Sequence, residues 1–365
     1  MRVLLAGGGT AGHTSPLLAT ATVLAERGAE IVCLGTPRGL ENRLIPEAGY
    51  PLELVPPVPL PRSPNVDLAK LPVRLKRTIS AALDVLDRVQ PDVVVGFGGY
   101  VSVPAYLAAR RRKLPIVVHE GNALPGIANR LGARFATHVA TSFPSTPLPH
   151  ATYVGLPIRR EISTLDRPAV QAAGRAHFGL DGDRPTVLVT GGSQGARRIN
   201  LAVSGASRDL ADAGIQVLHA AGRLEEAEVD RVDGDPPYIV KSFIDRIDLA
   251  YAAADLIVCR AGANTVTEVA AVGLPAVFVP LPIGNGEQAR NAHPVVQAGG
   301  GILIDDDALT SAWVDRALIP LVTSPQRLDA MSVAASGIVR RDADLRLADL
   351  IESAVDDGGA DGSPV

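Results

Sequence analysis

The chain has 365 residues, of which 47% are apolar and 20% charged, with a net charge of -4 at neutral pH. That length exceeds one core and suits two soluble globular domains, and the mild acidity argues against a general nucleic-acid binder. No apolar run is long enough to cross a bilayer and the N-terminus reads as a strand rather than a signal peptide, so membrane contact is expected to be peripheral. Cys33 and Cys259 sit in apolar strand-like runs of different halves, which predicts free thiols and a reducing compartment.

A strand over residues 3–6 runs into Gly7-Gly8-Gly9-Thr10-Ala11-Gly12-His13 and then an apolar helix. A strand, a glycine turn and a helix N-terminus form a ready site for phosphate or its substitute. His13 adds a group that titrates near neutral pH, although a solvated helix-entry residue is the plain alternative. The spacing also fits G-x-G-x-x-G, but a dinucleotide site wants an acidic residue after the second strand. That place holds Gly35-Thr36, and Glu30 precedes the strand.

Strands are expected at residues 31–34 and 52–55, then a proline-rich loop at 56–61. Residues 66–86 read as an amphipathic helix with Leu71, Val73, Leu75, Ile79 and Leu83 apolar and Lys70, Arg74, Lys76 and Arg77 basic. With the run Arg110-Arg111-Arg112-Lys113, this face suits an anionic membrane, with Arg74, Lys76, Arg77, Ile79 and Leu83 as docking candidates. A solvated basic face explains the pattern equally well. Between these segments a strand at 93–95 leads to Gly98-Gly99-Tyr100, and a strand at 116–118 leads to His119-Glu120-Gly121-Asn122. The latter lacks the second histidine of a zinc-binding H-E-x-x-H.

A linker is expected near 154–158, then a helix over 170–178. The strand at 186–189 enters a second glycine loop, Thr190-Gly191-Gly192-Ser193-Gln194-Gly195-Ala196-Arg197. Further strands fall at 216–218, 256–258, 276–279 and 301–304. Phe243-Ile244 follows the run 238–241; an aromatic there either stacks on a base or anchors a loop. Arg260 to Glu268 opens a helix whose small residues admit a diphosphate, and a Glu one turn in can bind ribose hydroxyls or simply favour the helix dipole. Asp181-Gly182-Asp183 and Asp233-Gly234-Asp235 read as turns rather than metal sites. Apolar strands alternating with helices predict parallel sheets covered on both faces, with ligands at the carboxyl ends of the strands.

Together, GGGTAGH, GFGGYVSVPA, HEGN, GLPIR, TGGSQGARRIN, SFID, CRAGANTVTEVAAVGLPAVFVPLP and EQARNA resemble one family. It is the bacterial transferases that add N-acetylglucosamine to the lipid-linked muramoyl-pentapeptide precursor of peptidoglycan. The resemblance implies an α/β GT-B architecture of two Rossmann-like parallel-sheet domains facing a central cleft. Residues 1–157 would form the acceptor and membrane side, 158–340 the UDP-N-acetylglucosamine side, and 341–355 a helix returning to the first domain; 356–365 would be a disordered tail. It implies donor contacts from Thr10, Ala11, Gly12, Asn122, Arg159, Ser193, Phe243 over the uracil, Ile244, Ala263, Asn264, Thr265, Val266, Thr267, Glu268 and Gln288. His13 would be the base, and Gly98, Gly99 and Tyr100 acceptor contacts. Ala11, Gly121 and Glu287 depart from the family pattern, replacing a glycine and glutamine or polar residues. No cofactor or metal is expected. The expected partners are UDP-N-acetylglucosamine, undecaprenyl-diphospho-muramoyl-pentapeptide, an anionic membrane surface on its cytoplasmic face, and cell-wall or division proteins. A UDP-sugar 2-epimerase and a non-catalytic nucleotide-binding module are the rival readings.

Overall fold

The computed structural model describes residues 1–58, 66–192, 195–222, 227–283 and 285–360, with side chains for all of these except 66–70 and 358–360. Two units emerge: Met1–Arg159 together with the C-terminal helix Ala343–Ala360, and Arg160–Arg340.

In the first unit the order is β1 (Arg2–Ala6), α1 (Ala11–Glu26), β2 (Glu30–Gly35), α2 (Glu41–Glu47), β3 (Leu52–Leu54), α3 (Val66–Val89), β4 (Val93–Gly96), α4 (Ser102–Arg112), β5 (Ile116–Glu120), α5 (Ile127–Gly132), β6 (His138–Thr141) and β7 (Ala151–Tyr153). Every strand pair is parallel, in the order β3-β2-β1-β4-β5-β6-β7. Side chains alternate across β1, and both faces are apolar because both are covered. Val3 and Leu5 pack with Leu17 and Leu24 of α1 and with Leu347 and Ile351 of the C-terminal helix. Leu4 and Ala6 pack with Val85 and Leu86 of α3 and Tyr106 of α4.

The C-terminal helix thus completes a core begun by the first strand, and Arg27 Nη1 ties it down at 2.8 Å from both Asp349 and Glu352. It extends further than the sequence suggests: the tail expected from Asp356 is helical through Ala360. Asp357 stays in register on this anchored helix and lies 3.2 Å from His138 Nε2. β6 and β7 escape the apolar-run criterion; β7 is an edge strand with Ala151 and Thr152 exposed.

α3 corrects part of the docking expectation. Ile79 is buried in the first unit, and Leu83 packs against the core that holds Ala82, Val85 and Leu86. The second half of the helix therefore turns its apolar stripe inward, while Val73, in the first half, is exposed. In the second basic run, Arg112 is engaged by Asp87 of α3 and Arg110 lies 5.0 Å over the Phe135 ring.

The second unit contains α6 (Arg160–Ser163), α7 (Arg167–Phe178), β8 (Thr186–Thr190), α8 (Arg197–Ser204), α9 (Ser207–Asp212), β9 (Gln216–Ala220), β10 (Tyr238–Lys241), α10 (Ile247–Ala253), β11 (Leu256–Cys259), α11 (Ala263–Ala271), β12 (Ala276–Phe278), α12 (Glu287–Gln297) and β13 (Gly301–Leu303). Its parallel sheet runs β10-β9-β8-β11-β12-β13. Cys33 in β2 and Cys259 in β11 are free and buried, and burial pushes both thiols up. Among the described residues no helix is long and apolar enough to cross a membrane.

Candidate active site

In each sheet the strand order reverses once, between β1 and β4 and between β8 and β11. Such reversals splay the connections apart and open a crevice at the strands' carboxyl ends. The two glycine loops follow β1 and β8, the Gly98-Gly99-Tyr100 loop follows β4, and the Arg260 to Gly262 turn follows β11. All four chemistry-bearing loops therefore lie at the reversal points of their own sheets.

In the first unit, His13 lies in the opening turn of α1, with Thr10 as N-cap in extended backbone. Its Nδ1 is 3.0 Å from Gly8 O and 3.3 Å from Thr10 Oγ1. A carbonyl only accepts, so Nδ1 carries the proton and Nε2 the lone pair. The loop after β4 packs on the imidazole. Gly98 and Gly99 have φ of +95° and +78°, and a Cβ at Gly98 would lie 3.1 Å from His13 Nε2. At Gly99 it would lie 2.7 Å from Gly8 O. Glycine is thus required twice, by backbone angle and by close approach. Ser102 Oγ accepts from Gly98 N–H at 3.1 Å and fastens this loop, while Tyr100 is exposed.

The first glycine loop differs from a simple phosphate cradle. Glu41 returns from α2 beneath it, fully buried, and accepts the Gly9 N–H at 2.8 Å. An anion already occupies one amide of this loop, so the phosphate expectation moves to the second unit. Spacing along the chain does not reveal this, because Glu41 lies beyond the position where a dinucleotide site carries its acid.

Asn122 is presented by a second buried carboxylate. Glu120 accepts from Asn122 N–H and Gly126 N–H, each at 2.9 Å, and from Asn129 Nδ2 at 3.0 Å. Tyr106 in turn donates to Asn129 Oδ1 at 2.8 Å, and burial pushes its phenol up, so it keeps the proton it donates. His119, beside Glu120, is fully buried and burial lowers it to about 4. Gly121 has room: a Cβ there meets Leu156 Cδ1 at 3.4 Å and Gly12 O at 4.0 Å.

In the second unit, Ser193 lies outside the described residues. Gly195 N–H donates to Gly192 O at 3.0 Å, with Gly195 at φ +73°. Behind it His219 joins Tyr238 Oη at 3.0 Å and Asn200 Oδ1 at 3.1 Å, and burial lowers it to about 4. α11 starts at Ala263 after the extended Gly262, and its first ladder bond is Val266 N–H to Gly262 O. The amides of Ala263, Asn264 and Thr265 precede that bond and point out of the helix start. Val266 and Thr267 bury their side chains, so any ligand contact from Val266 is restricted to its backbone. Glu268 is 9% exposed, and Tyr251 of α10 donates to its Oε2 at 2.8 Å. Tyr251 has no sequence signature; it arrives through the packing of α10.

Gln288 at the start of α12 accepts from Ala261 N–H at 3.2 Å and Leu281 N–H at 2.9 Å, which fixes its amide with Nε2 as donor. Phe243 is 57% exposed while Ile244 is buried, so this loop has one ring outward and one apolar anchor inward. Arg159 is exposed at the end of the first unit's N-terminal segment. The aspartates of the two D-x-D turns serve the turns: Asp181 pairs with Arg184 at 2.7 Å, and Asp235 pairs with Arg208 at 3.1 Å and caps Val232 N–H. Among the described residues no three His, Cys, Asp or Glu side chains gather as a metal site.

Two parallel-sheet units with glycine loops at their reversal points are the architecture of GT-B glycosyltransferases, and solved structures of that class superpose on the chain. The Acinetobacter baumannii MurG crystal structure matches with a TM-score of 0.78 at 29% identity, over 96% of this chain and 99% of that one. The calicheamicin glycosyltransferase CalG4, at 20% identity and a TM-score of 0.68, covering 97% and 98%, shares the fold. Residues 3–141 match the glycosyltransferase family 28 N-terminal domain and residues 186–348 the family 28 C-terminal domain. The chain belongs to glycosyltransferase family 28. It is 65% identical to the UDP-N-acetylglucosamine--N-acetylmuramyl-(pentapeptide) pyrophosphoryl-undecaprenol N-acetylglucosamine transferase of Nocardioides sp., over 96% of this chain and 97% of the relative. The same-named protein of Streptomyces avermitilis is 55% identical over 97% and 99%.

Proposed function

We propose that this glycosyltransferase moves N-acetylglucosamine from UDP-N-acetylglucosamine to the 4-hydroxyl of a lipid-linked muramoyl-pentapeptide. The observation that carries the reading is the full-length 65% identity to a relative named for that reaction. The site chemistry supports it. Negative charge develops on the departing diphosphate and must meet preorganised donors. The amides at the start of α11, those of the loop holding Ser193, and Arg159 are the donors assigned to it. Glu268 takes ribose hydroxyls, Phe243 covers the uracil, and Gln288 and Asn122 hold the sugar. Thr10, Ala11 and Gly12 are the remaining donor contacts in this reading.

His13 Nε2 takes the proton of the attacking hydroxyl while Gly98, Gly99 and Tyr100 hold the acceptor beside it. The new bond forms at the anomeric carbon as the bond to UDP breaks, and UDP leaves with the electron pair. One displacement turns an α-linked donor into a β-1,4 product. The acceptor lies in a bilayer, so the enzyme works on the cytoplasmic face, docked through Arg74, Lys76, Arg77 and the exposed Val73 of α3.

Incubation with UDP-N-acetylglucosamine and the lipid-linked muramoyl acceptor tests the reading. It expects disaccharide and UDP. An epimerised nucleotide sugar, or binding without turnover, would overturn it.

A further inference from the structure

One peptide unit of the first glycine loop is bonded on both sides. Its N–H, from Gly9, donates to Glu41 Oε2 at 2.8 Å. Its carbonyl, from Gly8, lies 3.0 Å from His13 Nδ1. Glu41 has no exposed surface, and its other partners are Thr36 N–H at 3.3 Å and Thr36 Oγ1 at 3.0 Å, donors as a carboxylate requires. Gly8 exists to admit it: a Cβ there would lie 2.5 Å from Glu41 Oε1. Among the described residues no cation is bonded to this carboxylate, burying it is therefore costly, and it faces the loop that carries the base.

We propose that Glu41 is a positioning residue that acts on His13 through the Gly8–Gly9 peptide. A carboxylate on the N–H polarises the amide and makes its carbonyl a stronger acceptor. The carbonyl then fixes the Nδ1–H tautomer and favours the imidazolium that forms when Nε2 takes the acceptor proton. The arrangement does what a buried Asp does for a catalytic histidine, with one peptide unit interposed. The proton passes from the 4-hydroxyl to Nε2, the glycosidic bond forms as the bond to UDP breaks, and His13 later releases the proton to water. Glu41 gains and loses no proton; its charge balances the transient cation.

This inference rests on His13 being the base, and a double-mutant cycle separates the two ideas. Donor affinity, kcat and thermal midpoint are measured for wild type, Glu41→Gln, His13→Ala and the double variant. Glu41→Gln keeps an acceptor for Gly9 N–H but removes the charge. It is expected to lower kcat about tenfold, a modest change in barrier, with donor affinity unchanged. In the His13→Ala background the same substitution should cost nothing further. If His13→Ala is slow and the two losses multiply, Glu41 does not act through His13. If His13→Ala turns over at the wild-type rate, the base assignment itself fails. Should Glu41→Gln not fold, Glu41→Asp runs the same cycle, since it keeps the charge but withdraws it from Gly9 N–H by one methylene.

Discussion

Tyr251 of α10 and Glu268 of α11 form a hydrogen-bonded pair that joins two separate helices. The Tyr251 hydroxyl donates to Oε2 at 2.8 Å and restrains the carboxylate that the proposed function assigns to the ribose hydroxyls. Glu268→Ala is expected to weaken UDP-N-acetylglucosamine binding by about 1.5–3 kcal/mol, the range for a hydrogen bond to a charged group. Tyr251→Phe, which leaves the carboxylate but removes this one hydrogen bond, should cost about 0.5–1.5 kcal/mol. Calorimetry on the two variants checks both, and unchanged donor affinity in Glu268→Ala would leave Glu268 as a helix-dipole residue. His13 and Glu268 were legible in the sequence as helix-start residues, because each follows a strand and a small-residue turn. Glu41, Glu120 and Tyr251 were not, because each reaches its loop through a chain reversal that spacing along the sequence does not encode.

Strands were the most legible elements. Runs such as Val93 to Val95 are apolar throughout because helices cover both faces of the sheet. β6 and β7 lack that signature, since they end the sheet and carry polar or exposed residues. α3 was legible as a helix but not in orientation. Periodicity identifies an apolar stripe without saying whether a core or a bilayer covers it, and here Ile79 belongs to the core. The docking role therefore rests on the first half of the helix. Replacing Arg74, Lys76 and Arg77 with Glu is expected to weaken co-sedimentation with anionic vesicles, at about 1 kcal/mol per basic residue lost. Donor affinity should not change. Equal co-sedimentation of variant and wild type would make this a solvated face.

At the scale of the whole molecule, among the described residues each unit buries one histidine, His119 in the first and His219 in the second. Burial lowers both to about 4, against about 6.5 in an unfolded chain. Below pH ~6.5 the unfolded state binds more protons than the native state, so stability is fully present above that value and is lost as pH falls toward 4. The slope contributed is up to about 1.4 kcal/mol per pH unit for each histidine. Urea midpoints should fall between pH 7.5 and 5.5, and replacing either histidine with Gln should flatten the slope. An unchanged slope in both variants would contradict the burial account. The C-terminal helix was the least legible part of the architecture: no local pattern shows that Leu347 and Ile351 pack beneath the first strand.

The central claim is a single displacement at the anomeric carbon, with His13 as base and no covalent sugar–enzyme intermediate. Its most direct test is the anomeric configuration of the disaccharide formed from the α-linked donor, read by NMR on the isolated lipid-linked product. The account predicts a β-1,4 linkage throughout; an α-linked product would contradict it.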